Sequence, residues 1–221
     1  MPHKYLQPLL NDNKSKIVLL LLDGLGGLPL ELNGTTELES ANTPNLDRLA
    51  KEGTLGQTIP IRPGITPGSG PAHLALFGYD PLTYDVGRGA LSATGVGIQV
   101  NPGDVAARGN FCTLDSDGLI TDRRAGRISN EIALPLVKKL KAIKIEGVEI
   151  ELGHVKEYRF AIVMRGENLD DSLLDTDPQI TGAPPHPVIA ETSKAEYAAG
   201  LFQAWVAKSQ ENQKYESQAN G

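Results

Sequence analysis

Residues 16–24 read Lys-Ile-Val-Leu-Leu-Leu-Leu-Asp-Gly, and this stretch decides the fold. The apolar run from Ile17 to Leu22 does not alternate with polar residues, and it stops at an Asp-Gly turn signal. A short run that is apolar on both faces is typical of a central parallel strand, because helices cover both faces of such a sheet. The sequence therefore predicts an open α/β sheet that begins at this run.

The segments that follow this run alternate between helix and strand signals. A helix is predicted over 43–53, since Pro44 stands where a missing N–H costs nothing and a glycine closes the segment. Residues 54–59 predict a second strand, and 72–78 have helical spacing. The loop over 60–71 is stiffened by prolines and made adaptable by glycines. In an open α/β sheet with this order of elements, sites form beyond the carboxyl ends of the strands.

From about residue 88 the pattern becomes that of an α+β domain. Residues 115–118 predict a hairpin turn, 170–187 are acidic and then proline-rich and predict a linker, and 210–221 are polar without periodicity. The strands are predicted over 90–100, 105–114, 148–152 and 158–164, and the helices over 130–143 and 193–207.

The composition excludes several classes of protein. The longest aliphatic run is too short for a membrane span, and residues 1–4 lack the layout of a signal peptide, so a cytoplasmic protein is expected. The single cysteine, Cys112, excludes an internal disulfide framework and a cysteine-cluster zinc site. A net charge of −6 argues against a nucleic-acid partner.

Arginines are concentrated in one part of this acidic chain. A guanidinium binds phosphate or carboxylate through two parallel hydrogen bonds, which suits a small anionic ligand. The alternative is that these arginines are solvated or pair with nearby aspartates such as Asp104, Asp115, Asp117 and Asp122. Seven of the nine arginines lie between positions 88 and 165: Arg88, Arg108, Arg123, Arg124, Arg127, Arg159 and Arg165.

Three further side chains are candidates for chemistry. Asp23 directly follows the first predicted strand and could hold a divalent cation, or it could simply form an Asp-Gly turn. Ser69 ends the rigid loop just before a helix, where it is either a nucleophile activated by a cation or an ordinary helix cap. His73 lies four residues on, on the same helical face, and is either part of the site or a packed or capping histidine.

Three groups of motifs resemble the alkaline phosphatase superfamily and, more narrowly, the archaeal-type 2,3-bisphosphoglycerate-independent phosphoglycerate mutases. The resemblance covers about residues 15–210. It rests on Leu19–Gly24, on Ala41–Asp47 and Pro67–Pro81, and on Arg88–Ala90, Arg108–Thr113 and Thr121–Arg127. The fold that it implies is an α/β, alkaline-phosphatase-like open sheet, present in part, with an inserted α+β domain.

The resemblance also implies a mechanism, in which a serine takes the phosphoryl group of 3-phosphoglycerate and returns it to give 2-phosphoglycerate. Two divalent ions, usually Mn²⁺ with Mg²⁺, Co²⁺ or Zn²⁺ as alternatives, would flank the serine, and no 2,3-bisphosphoglycerate would be needed. By position in the motif, Ser69 is the nucleophile and a metal ligand, and Asp23 is a metal ligand. The implied substrate-binding residues are Arg108, Asn110, Arg123, Arg124, Arg127 and Arg159.

The resemblance divides the chain into three parts. Residues 1–87 would form the N-terminal part of the metal-binding core, 88–187 the inserted substrate-capping domain, and 188–221 a helix leading back to the core with a polar tail. The likeness fades near Gln210, whereas the family continues for roughly as many residues again and carries its Asp-x3-His and further His ligands there. We therefore expect the chain by itself to bind metal weakly and to have little or no mutase turnover.

Two other functions stay open from the sequence. One is a phosphatase or another phosphotransferase of the same superfamily, such as a homoserine kinase-like enzyme, and the other is a catalytically inactive fragment. The expected partner is a small phosphoglycerate, with neither nucleic acid nor membrane. A homo-oligomer and a complementing C-terminal half are the two alternatives for a protein partner.

Overall fold

The computed structural model describes residues 7–22, 24–65, 67–84 and 86–221, and these form helices and short antiparallel strands. Among the described helices, none combines the length and apolar character that crossing a membrane requires. The helices are α1 (Glu37–Ser40), α2 (Pro44–Glu52), α3 (Ser69–Leu76), α4 (Arg88–Gly95), α5 (Asn130–Leu140) and α6 (Glu196–Gln213), with 3₁₀ turns at Gln7–Leu9, Ala125–Arg127 and Ser193–Ala195. The strands are β1 (Val105–Asn110), β2 (Thr113–Leu114), β3 (Ile120–Asp122), β4 (Glu149–Lys156) and β5 (Arg159–Arg165).

Three strands form the main sheet, which is antiparallel with the order β1-β5-β4. The central strand β5 is buried on both faces, and its side chains alternate between two layers. Phe160, Ile162 and Met164 point into the larger hydrophobic core, whereas Ala161 and Val163 belong to a smaller cluster on the other face. The period of two in a strand therefore gives this sheet two different packing layers.

The larger core lies between the sheet and helices α5 and α6. Leu136 and Leu140 of α5 and Phe202 and Trp205 of α6 are buried in it. Aromatic rings extend the contact, since the ring of Phe160 lies 6.0 Å from that of Trp205. This packing gives the region most of its apolar burial, which is the main favourable term in folding.

Helix α4 covers the opposite face of the sheet, where residues 90–100 had predicted a strand. That prediction is wrong, because Arg88–Gly95 is helical and buries Ala93 against Ala161 and Val163. The helix also packs very close to β1, since a methyl group on Gly89 would lie 2.0 Å from the carbonyl oxygen of Ala106. A glycine therefore permits the approach that a larger residue would block.

The N-terminal region, residues 7–86, is arranged differently. The strands predicted over 16–22 and 54–59 are not formed there, and Ile17 is 99 % exposed. The helices α1 to α3 are nevertheless present, which confirms the helices predicted over 43–53 and 72–78 in outline. A helix satisfies its own backbone hydrogen bonds, whereas a strand needs a neighbour, and the described residues place none beside this run.

The other predicted strands are confirmed in outline, although the strand predicted over 105–114 is divided into β1 and β2. The turn over 115–118 joins β2 to β3, and the helix over 130–143 is present as α5 despite Pro135. However, the linker predicted over 170–187 is an ordered excursion of the chain, and the polar tail is partly wrong because α6 runs to Gln213. Residues beyond α6 fold back, and Gly221 exchanges two backbone hydrogen bonds with Cys112.

Candidate functional site

A strap formed by residues 170–191 lies beside β3 and lines a cleft together with β1. Its two arms pair through backbone hydrogen bonds from Leu174 to Ile189, from Glu191 to Ser172 and from His186 to Thr176, at 2.8–2.9 Å. Its tip binds β3, because Gly182 donates to the carbonyl oxygen of Ile120 and the amide of Ile120 donates to Ala183. The strap is thus fixed at both ends and places three acidic side chains, Asp171, Asp175 and Asp177, in the wall of a cleft.

The cleft has a volume of about 630 Å³ and runs along β1, the edge strand of the sheet. Its outer part is lined by the N-terminal end of α4, by polar residues of β1 and by the strap. Its inner part is apolar and reaches Phe160 and Trp205. A concave site with apolar walls and a few converging polar groups is the usual form of a small-molecule site.

Arg88 of α4 and Arg108 of β1 line this cleft, whereas Arg159 of β5 does not line it and lies close enough to lower the pKa of Arg108. Arg108 and Asn110 lie on β1 opposite Ala161 and Arg159 of β5, and opposite residues of an antiparallel pair share one face of the sheet. Burial and then the neighbouring guanidinium groups of Arg88 and Arg159 lower the pKa of Arg108. The same face therefore concentrates positive charge that a bound anion would neutralise.

Several polar atoms of this cluster have no partner in the part of the chain that the structure describes. The Nε atoms of Arg108 and Arg159 and the Oδ1 atom of Asn110 are buried without a hydrogen bond among the described residues. None of the arginines 88, 108 and 159 forms an ion pair with a described carboxylate; Arg159 instead donates to the hydroxyl of Tyr158 at 2.7 Å. Because native proteins pair almost all their buried polar groups, these atoms mark a place where a ligand would add hydrogen bonds.

Ser69 is the first residue of α3 and is exposed. Its neighbours Gly68 and Pro71 line the cleft, and a methyl group on Gly68 would lie 3.8 Å from Nη2 of Arg88. The structure thus brings the loop before Ser69 next to the arginine cluster. The ring Nδ1 of His73 donates to the carbonyl oxygen of Ser69 at 2.6 Å. This hydrogen bond supports the alternative that His73 is a packed or capping histidine.

The other arginines divide between the cleft and the surface. Arg123 lines the cleft and donates to Asp177 through Nε at 2.9 Å and Nη2 at 2.6 Å. This pairing is the main cause of the lowered pKa of Asp177; burial opposes it, and a backbone hydrogen bond from Gln179 adds to the lowering. Arg124 is exposed, and Arg127 contacts Glu157 at 3.6 Å; neither lines the cleft. Arg165 pairs with Asp104 and Glu151, as the structural alternative for an arginine predicted.

The proposed metal ligands are only partly visible. Asp23 lies outside the described residues, so its predicted role is not tested. In the described ranges, no three His, Cys, Asp or Glu side chains lie together in a way that could hold a metal ion. The described residues therefore do not by themselves fit the two-ion centre that the resemblance implies.

Comparison with known proteins decides the family. The family model for 2,3-bisphosphoglycerate-independent phosphoglycerate mutase matches residues 50–217. The chain belongs to this family. It is 52 % identical over 218 residues to a protein of Thermus thermophilus named as a probable mutase of this type, covering 98 % of this chain and 54 % of the relative. A Thermosipho africanus protein of the same name is 55 % identical over 183 residues, covering 82 % of this chain and 45 % of the relative.

Solved structures agree with the family assignment. A cofactor-independent phosphoglycerate mutase from Thermoplasma acidophilum has a TM-score of 0.56 at 32 % identity, over 66 % of this chain and 39 % of that one. A Pyrococcus horikoshii protein has a TM-score of 0.58 at 32 % identity, over 88 % and 43 %. The α/β, alkaline-phosphatase-like fold class is thus confirmed. The chain spans about half the length of the curated mutase relatives that it matches.

Two groups of residues at the cleft were not in the predicted site. Arg88 belongs to a family motif and to the arginine-rich segment, yet it was not among the implied substrate-binding residues; α4 places it beside Gly68 and Arg108. Asp175 and Asp177 were interpreted as part of a linker. The available signal was the local charge, because an acidic stretch in a chain with clustered arginines has nearby cations to pair with.

Proposed function

We propose that this chain provides the substrate-anion site and the phosphoryl-accepting serine of a phosphoglycerate mutase that interconverts 3-phosphoglycerate and 2-phosphoglycerate in the cytoplasm. Family membership supports the reaction class. The observation that carries the proposal is the cluster of Arg88, Arg108 and Arg159, with unpartnered buried atoms, beside the loop that leads to Ser69. A phosphoglycerate carries a phosphate and a carboxylate, and guanidinium groups recognise both.

In the proposed reaction, the Ser69 hydroxyl oxygen forms a bond to phosphorus while the bond from phosphorus to the O3 oxygen of the substrate breaks. The proton lost by Ser69 is balanced by the one that the leaving glycerate oxygen takes up. Arg108, Arg159 and Asn110 hold the glycerate carboxylate during this step and keep it from leaving. After glycerate turns, its O2 hydroxyl takes the phosphoryl group back, and the serine is regenerated. This two-step transfer needs the substrate to stay bound throughout.

The resemblance assigns Asp23 and Ser69 to two divalent ions, with manganese as the proposed metal, and these ions would supply charge neutralisation and activation of the serine. Among the described residues, no three ligands lie close enough together to hold such an ion. The protein partner, either a second copy or a complementing C-terminal half, is likewise proposed.

The arginine cluster is tested by titrating 3-phosphoglycerate into the purified chain. The sole tryptophan, Trp205, lines the cleft, so its fluorescence reports binding directly, with calorimetry as the second measurement. Arg108→Ala is expected to weaken binding at least tenfold, because it removes a charge-assisted contact. The matched control is Arg48→Ala, which removes an exposed arginine paired with Glu52 on α2 and should bind within twofold of the unchanged chain. Equal binding by both variants would contradict the proposal.

The role of Ser69 is tested separately from binding. Ser69→Ala should bind 3-phosphoglycerate within about twofold, yet form no phosphoserine by mass spectrometry under conditions where the unchanged chain does. Assayed alone with manganese, the chain is expected to show little mutase turnover. Release of inorganic phosphate from 3-phosphoglycerate, with no 2-phosphoglycerate formed, would favour the phosphatase alternative.

A further inference from the structure

Among the described residues, the hydrogen bonds of Arg123 use two of the three nitrogens of its guanidinium. A guanidinium has five N–H donors in a fixed plane. The Nε and Nη2 atoms of Arg123 are occupied by the two carboxylate oxygens of Asp177, and Nη2 also donates to Oε1 of Gln179. Among the described residues, Nη1 has no hydrogen-bond partner. Two N–H groups of a guanidinium at the wall of the cleft therefore remain available.

The strap holds the carboxylate of Asp177 in a fixed position. Its Oδ1 atom also accepts a hydrogen bond from the backbone N–H of Gln179 at 2.9 Å, which closes a tight local turn. The backbone of the preceding residue, Thr176, pairs with His186, and the tip of the strap at Gly182 pairs with Ile120. Because these hydrogen bonds hold the Asp177 carboxylate in place, the carboxylate in turn fixes the plane of the Arg123 guanidinium that it binds.

We propose that Asp177 is a positioning residue that acts through Arg123, and this inference rests on the proposed phosphoglycerate site. By fixing the Arg123 guanidinium before the ligand arrives, Asp177 presents Nη1 to an anionic oxygen of the phosphoglycerate. A long, flexible side chain that is already ordered loses less conformational freedom on binding, so the same contact gives higher affinity. The strap is thereby a determinant of anion affinity in this cleft and not a linker.

The opposite possibility is that Asp177 competes with the ligand, since its negative charge partly neutralises Arg123. Positioning predicts that removing the carboxylate weakens binding, whereas competition predicts that it strengthens binding. The sign of the change in affinity therefore separates the two.

The experiment measures the affinity of the full chain for 3-phosphoglycerate by calorimetry and by the fluorescence of Trp205. Asp177→Asn keeps the size of the side chain and removes its charge, and we expect affinity to fall about tenfold. Asp177→Glu restores a carboxylate and should bind within about threefold of the unchanged chain. The matched control, Asp117→Asn, removes an exposed carboxylate from the β2–β3 turn and should have no effect.

A double-mutant cycle tests whether Asp177 acts through Arg123. In an Arg123→Ala background, Asp177→Asn should change the affinity less than twofold. A tenfold loss that persists there, or equal or tighter binding by Asp177→Asn alone, would overturn the inference. Circular dichroism and urea unfolding check that each variant is folded. If Asp177→Asn is unfolded, Gln179→Ala takes its place, since it removes one acceptor from Nη2, and a two- to threefold loss is expected.

The two proposals fail in different ways. No binding of 3-phosphoglycerate by the unchanged chain would overturn the proposed function and this inference with it. Binding by the unchanged chain that Asp177→Asn leaves unaltered would overturn the inference alone.

Discussion

The N-terminal region, residues 7–86, and the sheet region, residues 88–221, fold by different means. In the sheet region, strands and helices bury a common core, and Phe160, Ile162 and Trp205 are almost completely inaccessible. In the described part of the N-terminal region no residue is buried, although three helices are formed there. The difference shows how much of a fold local signals can determine before a core exists.

The helices of the N-terminal region illustrate what local signals determine. Helix α1 begins with a capping box, in which the Thr36 hydroxyl accepts from the Glu39 amide and the Glu39 carboxylate accepts from the Thr36 amide. Helix α2 has a proline at its first position. The capping box and the first-turn proline involve residues within four positions of each other, so they stabilise a helix even where no core is present. The run 16–22 has no such local device and stays without strand structure.

The largest expected contrast between the two regions is in stability. Phe160→Ala removes a ring that contacts Phe111 and Trp205, and it should lower the free energy of unfolding by about 3–5 kcal/mol. Ile17→Ala removes an equally apolar side chain that is 99 % exposed, and it should change that free energy by less than about 0.5 kcal/mol. Urea unfolding measures both. A loss above about 1 kcal/mol for Ile17→Ala would show that the N-terminal region has a core of its own.

A second contrast concerns two glycines of one helix, α4. Gly89→Ala places a methyl group 2.0 Å from the Ala106 carbonyl oxygen, and it should destabilise the sheet region by about 1–3 kcal/mol. Gly95→Ala, at the last position of the same helix, meets nothing within 4 Å and should be neutral or slightly stabilising. Thermal unfolding compares them. Because α4 carries Arg88, Gly89→Ala should also weaken 3-phosphoglycerate binding. Unchanged binding would show that the arginine cluster does not depend on the close packing of α4 against β1.

The smallest expected contrast is the response to acid. Pairing with Arg123 is the main cause of the lowered pKa of Asp177, so this carboxylate stabilises the fold above its unfolded pKa of about 4. That contribution is lost as the pH falls through the lowered, folded pKa. Asp177→Asn should therefore lose less stability than the unchanged chain when urea unfolding is measured at pH 6 and then at pH 3.

The matched carboxylate in the N-terminal region is Glu39. Its pKa is also lowered, chiefly by the Thr36 backbone N–H, but the group is fully exposed and α1 buries no residue. Glu39→Gln should therefore leave the acid dependence of global unfolding unchanged. A flattened acid response in Glu39→Gln would mean that α1 unfolds together with the sheet region.

The sequence by itself determined the family, the helices with clear end signals, the β2–β3 turn and the segment in which the arginines are concentrated. Each of these depends on residues close together in the chain or on motifs that can be read directly. Helix α4 was misread as a strand because its small residues, such as Gly89 and Ala93, have no clear helical period. These small residues allow α4 to approach β1 closely. That contact joins segments that are separate in the sequence, so the local pattern does not reveal it.

Only the tertiary structure decided which charges meet. Arg88 and Arg108 are twenty positions apart, and Arg123 and Asp177 are separated by fifty-four, yet each pair interacts in one cleft. Electrostatic and hydrogen-bond energies depend on distance in space, and periodicity along the chain carries no information about such pairs. The order of the strands and the path of the strap set those distances. For this reason the sequence could indicate that an anion site exists. The residues that line the site, and the partner of each arginine, could be identified only from the tertiary structure.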